Sequence, residues 1–438
     1  MKKIEKIIIA VIFLWGFSLQ VPAKNLLDIY QLAVQSDPIL RQSYARMEAI
    51  STTRWQSVAR LLPKIDVSGQ SSREYLNNKR NNFQGSGRQE YWDHNATANV
   101  TQPVFRWDFW VQLSQSDNQI AQLEAEYQAE HQNLMVRTAE AYFNVLAAED
   151  NLEFASSEKE AIARQLEQAK QRFEVGLVAV TDVYEAQAGF DSARANEIKA
   201  QNDLDNSKEA LKEIIGETEL AIAGLGDKLP LSGPVPQNLQ EWSETALRQN
   251  LNIIAVQNQA ENARKHISLQ RSGHLPSLDI VGRYSIFDSN SQFGARGDSQ
   301  SIGLQLNVPI FEGGAVTART QQASFQFEEA KEKMIETQRS VNRLVKDSYR
   351  GVISSISQVE ALKAAVVSSE SSLEATEAGF EVGTRTMVDV LTEQRNLYSA
   401  KSDYARARYD FLINSLKLKQ AASSLTIEDL QTINSLLK

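Results

Sequence analysis

The residues best placed for chemistry lie in one short stretch, "GTRTMVDVLTEQRN" at 383 to 396, where Arg385 and Asp389 follow a glycine inside a long polar helix pattern. Glu393 stands four residues beyond Asp389, a spacing that lets two carboxylates share one helix face. An arginine among carboxylates supports a charge-assisted link that breaks and reforms without moving covalent structure. The same residues also read as a solvated face, whose ion pairs contribute little. Residue types suited to catalysis are sparse. His94, His131, His266 and His274 are scattered, cysteine is absent, and no glycine-rich phosphate loop occurs. His266 and His274 flank a helix end, but two imidazoles without a third ligand do not make a metal site. Structural roles are expected for all four, with no enzyme activity, no metal and no cofactor.

The first 23 residues, "MKKIEKIIIAVIFLWGFSLQVPA", carry Lys2, Lys3 and Lys6 ahead of an apolar run from Ile7 to Leu19, then the small residues Val21 and Ala23. That pattern predicts a cleaved secretory signal. The run falls short of the roughly 20 residues of a membrane-spanning helix. Without this segment's three lysines and one glutamate, the formal charge moves from −9 to −11, a balance unsuited to coating nucleic acid. The absence of cysteine excludes disulfides and a lipidated N-terminal cysteine.

The elements that carry the charged cluster are rods. From Trp107 to Val175 there is neither proline nor glycine, and from Ala315 to Ala378 only Gly351 intervenes. One helix over the first tract would be roughly 100 Å long at about 1.5 Å per residue. Leu113, Ile120, Tyr127, Leu134, Ala141, Ala148, Ala155, Ile162 and Ala169 fall seven apart, as do Val345, Val352, Val359, Val366, Leu373 and Phe380. A sustained repeat of seven supercoils helices around neighbours, although a buried core stripe gives the same pattern locally.

The chain is also a duplicate of itself. "RFEVGLVAVTDVYEAQ" at 172 to 187 returns as "GFEVGTRTMVDVLTEQ" at 379 to 394, and "LLPKIDVSG" at 61 to 69 as "HLPSLDIVG" at 274 to 282. The offsets differ, so the segment between them is longer in the first copy, as a loop insertion would make it. There the period switches to two. Leu278, Ile280, Gly282, Tyr284 and Ile286 share one face, as do Ile302, Leu304, Leu306 and Val308, and in the first copy Ala96, Ala98 and Val100. Such alternation predicts half-buried strands. Polar tips at 77 to 90 and 288 to 300 are expected to separate the strands of each pair. Pro63, Pro103, Pro276 and Pro309 are expected where helix meets strand, and Pro230, Pro234 and Pro236 in a linker between copies. The resulting organisation is a signal at 1–23, a first repeat at 24–220 with strands over about 64–105, a linker at 221–239, and a second repeat at 240–438 with strands over about 277–310. Four strands do not close a barrel, since single-chain outer-membrane barrels begin at about eight. Several chains would have to pool their strands.

Six segments, "TAEAYFNVLAAED" (138 to 150), "RFEVGLVAVTDV" (172 to 183), "GHLPSLD" (273 to 279), "VPIFEGG" (308 to 314), "GTRTMVDVL" (383 to 391) and "ARYDFLINSLKLK" (407 to 419), resemble the TolC outer-membrane efflux channel family, from about Leu26 to the C-terminus. The resemblance implies a mostly α homotrimer with a small β part. Four strands per chain make one 12-stranded barrel in outer-membrane lipid, above a coiled-coil tunnel in the Gram-negative periplasm. It further implies an exit duct for drug efflux and type I protein secretion, gated at its periplasmic tip. Its partners would be a periplasmic adaptor and an inner-membrane RND, MFS or ABC transporter.

By the same resemblance Gly176 and Gly383 mark the periplasmic hairpin tips. Val175, Gly176, Leu177, Val382, Gly383 and Thr384 meet the adaptor. Asp389 belongs to a pore-facing acidic ring, and Arg385 is a latch whose partners are Thr181 and Asp182. Two residues depart from the family pattern. Phe380 replaces a latch tyrosine and has no hydroxyl. Thr392 replaces a second acidic ring, leaving Glu393 beside it as the available carboxylate. From the residues alone, the two glycine turns are only helix ends. A periplasmic coiled-coil adaptor would share the signal and the heptads but has no need of two strand pairs with polar tips. An adhesin or stalk has no use for the duplication.

Overall fold

The computed structural model describes residues 23–82, 85–218, 221–226, 228–291 and 294–438. The expected signal sequence, Ala23 apart, lies outside them.

Two copies of one pattern run along the chain. The first consists of α1 (Leu26–Ser36), α2 (Pro38–Ala59), β1 (Lys64–Asn82), β2 (Gly85–Phe105), α3 (Trp107–Glu174) and α4 (Val180–Ile215). The second repeats it as α5 (Leu239–Gln249), α6 (Leu251–Arg271), β3 (Ser277–Ser289), β4 (Arg296–Asn307), α7 (Ala315–Glu381) and α8 (Met387–Ala421), before a short α9 (Ile427–Asn434). The long helices hold 68 and 67 residues, each about 100 Å at the α-helical rise. Gly351 sits inside α7 without breaking it. None of the predicted seven-residue stripe is exposed, and Leu134, Ile162, Val345 and Val352 are buried. α3 packs along α4 and α8, and α7 along α8, so the stripe is a seam between rods.

The duplicated short helices start on equivalent caps. Asn25 and Asn238 open α1 and α5, while Asp37 and Asn250 open α2 and α6. Asp37 is almost wholly buried; it accepts from Leu40 N at 2.7 Å and from the Arg137 guanidinium at 2.9 and 3.2 Å. A buried carboxylate persists only with such partners, and this pair ties α2 to the middle of α3. Around it lies the main core, drawn from α1, α9 and the middle stretches of the rods. The segment between the copies is pinned there: Ile222 pairs with Lys24, Leu225 with Leu437, and Tyr142 donates to Ala223 O at 2.6 Å.

The four strands form one antiparallel sheet in the order β1-β2-β3-β4, which leaves β1 and β4 as open edges. Pairing sorts the side chains onto two faces. Ile65 opposes Val100, Val100 opposes Gly282, and Gly282 opposes Ile302; Ile280 opposes Leu304 on the same face. That apolar face is uncovered, with Ile302 84% and Leu304 72% exposed. Behind it Asn99 donates to Asp66 at 3.0 Å, Arg283 donates to Asn99 at 3.1 Å, and the Thr97 and Ser285 hydroxyls lie 3.1 Å apart.

Two expectations are corrected here. The first polar tip is mostly strand: Asn77 pairs with Arg88, Asn78 with Gly87 and Asn82 with Gly85, because the ladder is made by backbone groups, which polar residues supply as well as apolar ones. Pro103 lies inside β2, not at its end, beside a register shift between Pro103 and Phe105, where a missing donor is tolerated. The connections to the rods also differ. Only Arg106 separates β2 from α3, whereas residues 308 to 314 separate β4 from α7 and end in Gly313 and Gly314, both at positive φ, +62° and +83°.

Candidate gate at the hairpin tips

At the ends farthest along the rods, each long helix turns back through a glycine. Gly176 has φ +75° and Gly383 +79°, the left-handed region that glycine enters without penalty. Each turn is closed the same way. Leu177 N donates to Arg172 O at 2.8 Å and Gly176 N to Phe173 O at 2.9 Å; Thr384 N donates to Gly379 O at 2.8 Å and Gly383 N to Phe380 O at 3.1 Å. This pair of bonds satisfies the last carbonyls of α3 and α7. The turns carry apolar residues into solvent, with Val175 70%, Leu177 74% and Val382 75% exposed. Thr384 turns its hydroxyl inward, donating to Gly379 O at 3.0 Å.

Asp389 is the third residue of α8 and closes a reciprocal cap. Thr386 N and the Thr386 hydroxyl both donate to its carboxylate at 2.9 Å, and Asp389 N donates back to the hydroxyl at 3.2 Å. The Thr386 backbone donor above all, then the hydroxyl and the Arg385 charge, hold this carboxyl below its ordinary pKa. Glu393 lies one turn on, half-buried like Asp389 and on the same side of α8.

The Arg385 side chain is exposed, and among the described residues no hydrogen bond or ion pair joins it to Thr181 or Asp182. Its stem folds over Gly379, where an added Cβ would sit 2.7 Å from Arg385 Cγ. Phe380 is half-buried against a small core of its own, with Ile162, Leu166, Ala169, Met387 and Leu391, and the Arg172 guanidinium lies 5.3 Å from its ring centroid. The structure thus gathers Arg385, Asp389, Glu393 and Phe380 at one tip, and places Thr181 and Asp182 at the start of α4 in the other.

Sequence reasoning passed over Arg172, Gly379 and Thr386. The signal was present in the duplication. Overlaying the two tips sets Arg172 against Gly379 and Ala179 against Thr386, and accordingly α4 starts without a side-chain cap whereas α8 has a full one.

Comparison with known proteins agrees with this geometry. The family model for outer membrane efflux proteins matches residues 29–217 and 242–424, one match in each copy. The outer membrane protein TolC of Vibrio cholerae serotype O1 is 39% identical over 422 residues, covering 95% of this chain and 94% of that protein. The alkaline protease secretion protein AprF of Pseudomonas aeruginosa is 28% identical, covering 94% of this chain and 87% of its own length. In fold, the CmeC outer membrane channel of Campylobacter jejuni matches with a TM-score of 0.80 at 17% identity, over 95% of this chain and 90% of that one. With both halves matched and a near full-length relative at this identity, the chain belongs to the outer membrane efflux protein family.

Proposed function

We propose that three copies of this chain pool their sheets into one 12-stranded barrel in the outer membrane. Their rods then form a periplasmic tunnel, the shared exit duct of drug efflux pumps and type I protein secretion. The carrying observation is the sheet: an uncovered apolar face and two open edges, joined to rods of 68 and 67 residues. Unpaired strand edges in lipid cost several kcal/mol per group, so the edges must meet other copies. The name TolC, the secretion role in AprF's name and the channel fold of CmeC support the same reading. A signal at 1–23, repeats at 24–220 and 240–438 and a linker at 221–239 complete it. We assign the chain no catalytic activity.

At the tip, Asp389 and Glu393 from three copies form acidic rings that draw cations. Arg385 latches to Thr181 and Asp182 of a neighbouring copy, a reading consistent with the lack of a hydrogen bond or ion pair between them within one chain among the described residues. Val175, Gly176, Leu177, Val382, Gly383 and Thr384 present the surface that a periplasmic adaptor grips, linking the duct to an RND, MFS or ABC transporter. Bilayer recordings test the gate. Asp389→Asn is expected to reduce cation preference at unchanged volume, and Arg385→Ser to raise conductance with the ring intact. Unchanged selectivity in the first together with unchanged conductance in the second would remove the gate.

A further inference from the structure

The two tips each carry one arginine, on opposite sides of their glycine. In the first it is Arg172, before the turn, and in the second Arg385, after it. Arg385 needs Gly379 because its stem occupies the space a side chain there would fill. Arg172 stands at the position equivalent to Gly379, and its guanidinium reaches across to the ring of Phe380 at 5.3 Å. It makes no hydrogen bond or ion pair among the described residues, so the ring face is the partner of its charge. The equivalent ring in the first tip, Phe173, has no cation over it among the described residues and is 44% exposed. The contact thus joins the last turn of α3 to the last turn of α7. These two helices belong to different hairpins, and a second polar tie near the tip, Gln165 Nε2 donating to Glu377 Oε1, is 3.5 Å long.

We propose that Arg172 is a positioning residue that clips the two hairpins of each chain together at the tip by resting its cation on the Phe380 ring. This rests on the gate reading above. The clip uses the ring face and therefore needs no hydroxyl, so Phe380 is competent as it stands. Arginine suits the task because its planar, weakly hydrated cation stacks on aromatic faces better than an ammonium does. The clip lies within a chain and the proposed latch between chains, so either one alone leaves the other in place.

The test is bilayer recording of the full-length protein as wild type, Arg172→Gln, Phe380→Leu, the double variant, Phe380→Trp and Arg385→Ser. Loss of one partly exposed cation–π contact predicts an open fraction about threefold to fivefold higher in each of the first two. The double variant should rise no further than either single one, and Phe380→Trp, which keeps a ring face, should stay at or below wild type. Arg172→Gln alters no apolar packing, so it remains informative if Phe380→Leu fails to assemble. A rise in Arg385→Ser with Arg172→Gln at wild-type level would overturn the clip and leave the gate standing. A double variant showing the product of the two single effects would also overturn it, because independent sites multiply. If Arg172→Gln and Arg385→Ser are both silent, the clip falls together with the latch.

Discussion

Asp389 has two tasks in this reading, as a charge facing the axis and as the residue that closes the start of α8. Both depend on Thr386, whose backbone and hydroxyl donate to the carboxylate. A carboxyl held below its ordinary pKa contributes its cap above the unfolded value and loses it as pH falls through the lower folded value. Thr386→Ala keeps the backbone donor, which is the larger cause, and removes the hydroxyl. The folded pKa then moves part of the way back up, and cation preference should be lost at a higher pH than in the wild type; coincident pH profiles would refute the dependence. Gly379 offers a second test. Its helical backbone would accept alanine with a gain in helix propensity, yet the new Cβ would displace the Arg385 stem. Gly379→Ala should therefore raise conductance as Arg385→Ser does, and a conductance equal to wild type would show that the stem's position is immaterial. Arg385, Asp389 and the two glycines could be picked out from spacing and charge. Thr386 could not, since a threonine before a helix is common and only the missing counterpart at Ala179 distinguishes it. Arg172 was hidden for a different reason: its partner is 208 positions away and is apolar.

At the scale of elements, the rods were legible because nothing interrupts them, and the strands because their period switches to two. The lengths of the strands were less so. Residues 77 to 90 are polar but for Phe83 and carry glycines, so pattern alone marks a loop, yet the ladder continues to Asn82 and Gly85. In β4 Ile302, Leu304 and Leu306 alternate with Ser301, Gly303 and Gln305, and the apolar side chains are exposed. Arginine at Leu304 would put a charge among them, at a cost of about 2 to 4 kcal/mol near the membrane midplane. Leu304→Arg should consequently reduce the amount of protein assembled in the outer membrane, whereas Gln305→Arg on the opposite face should be tolerated. Assembly of the Leu304 variant at wild-type level would reverse the assignment of the two faces.

For the whole molecule, the open edges at β1 and β4 make assembly and insertion one event. The membrane-inserted form should migrate as an oligomer without heating and as a single chain after it, and a purified single chain that conducts ions would contradict the barrel. The duplication adds a constraint on how such an assembly moves. In the first copy Arg106 alone stands between β2 and α3, while in the second a segment ending in two left-handed glycines stands between β4 and α7. The first rod is thus tied to the sheet through one residue and the second through seven, the last two of them glycines in a backbone conformation that other residues rarely adopt. A displacement of the tip therefore meets one linking residue on the α3 side and seven on the α7 side, so the two hairpins of one chain, alike in sequence, are unequally tied to the sheet.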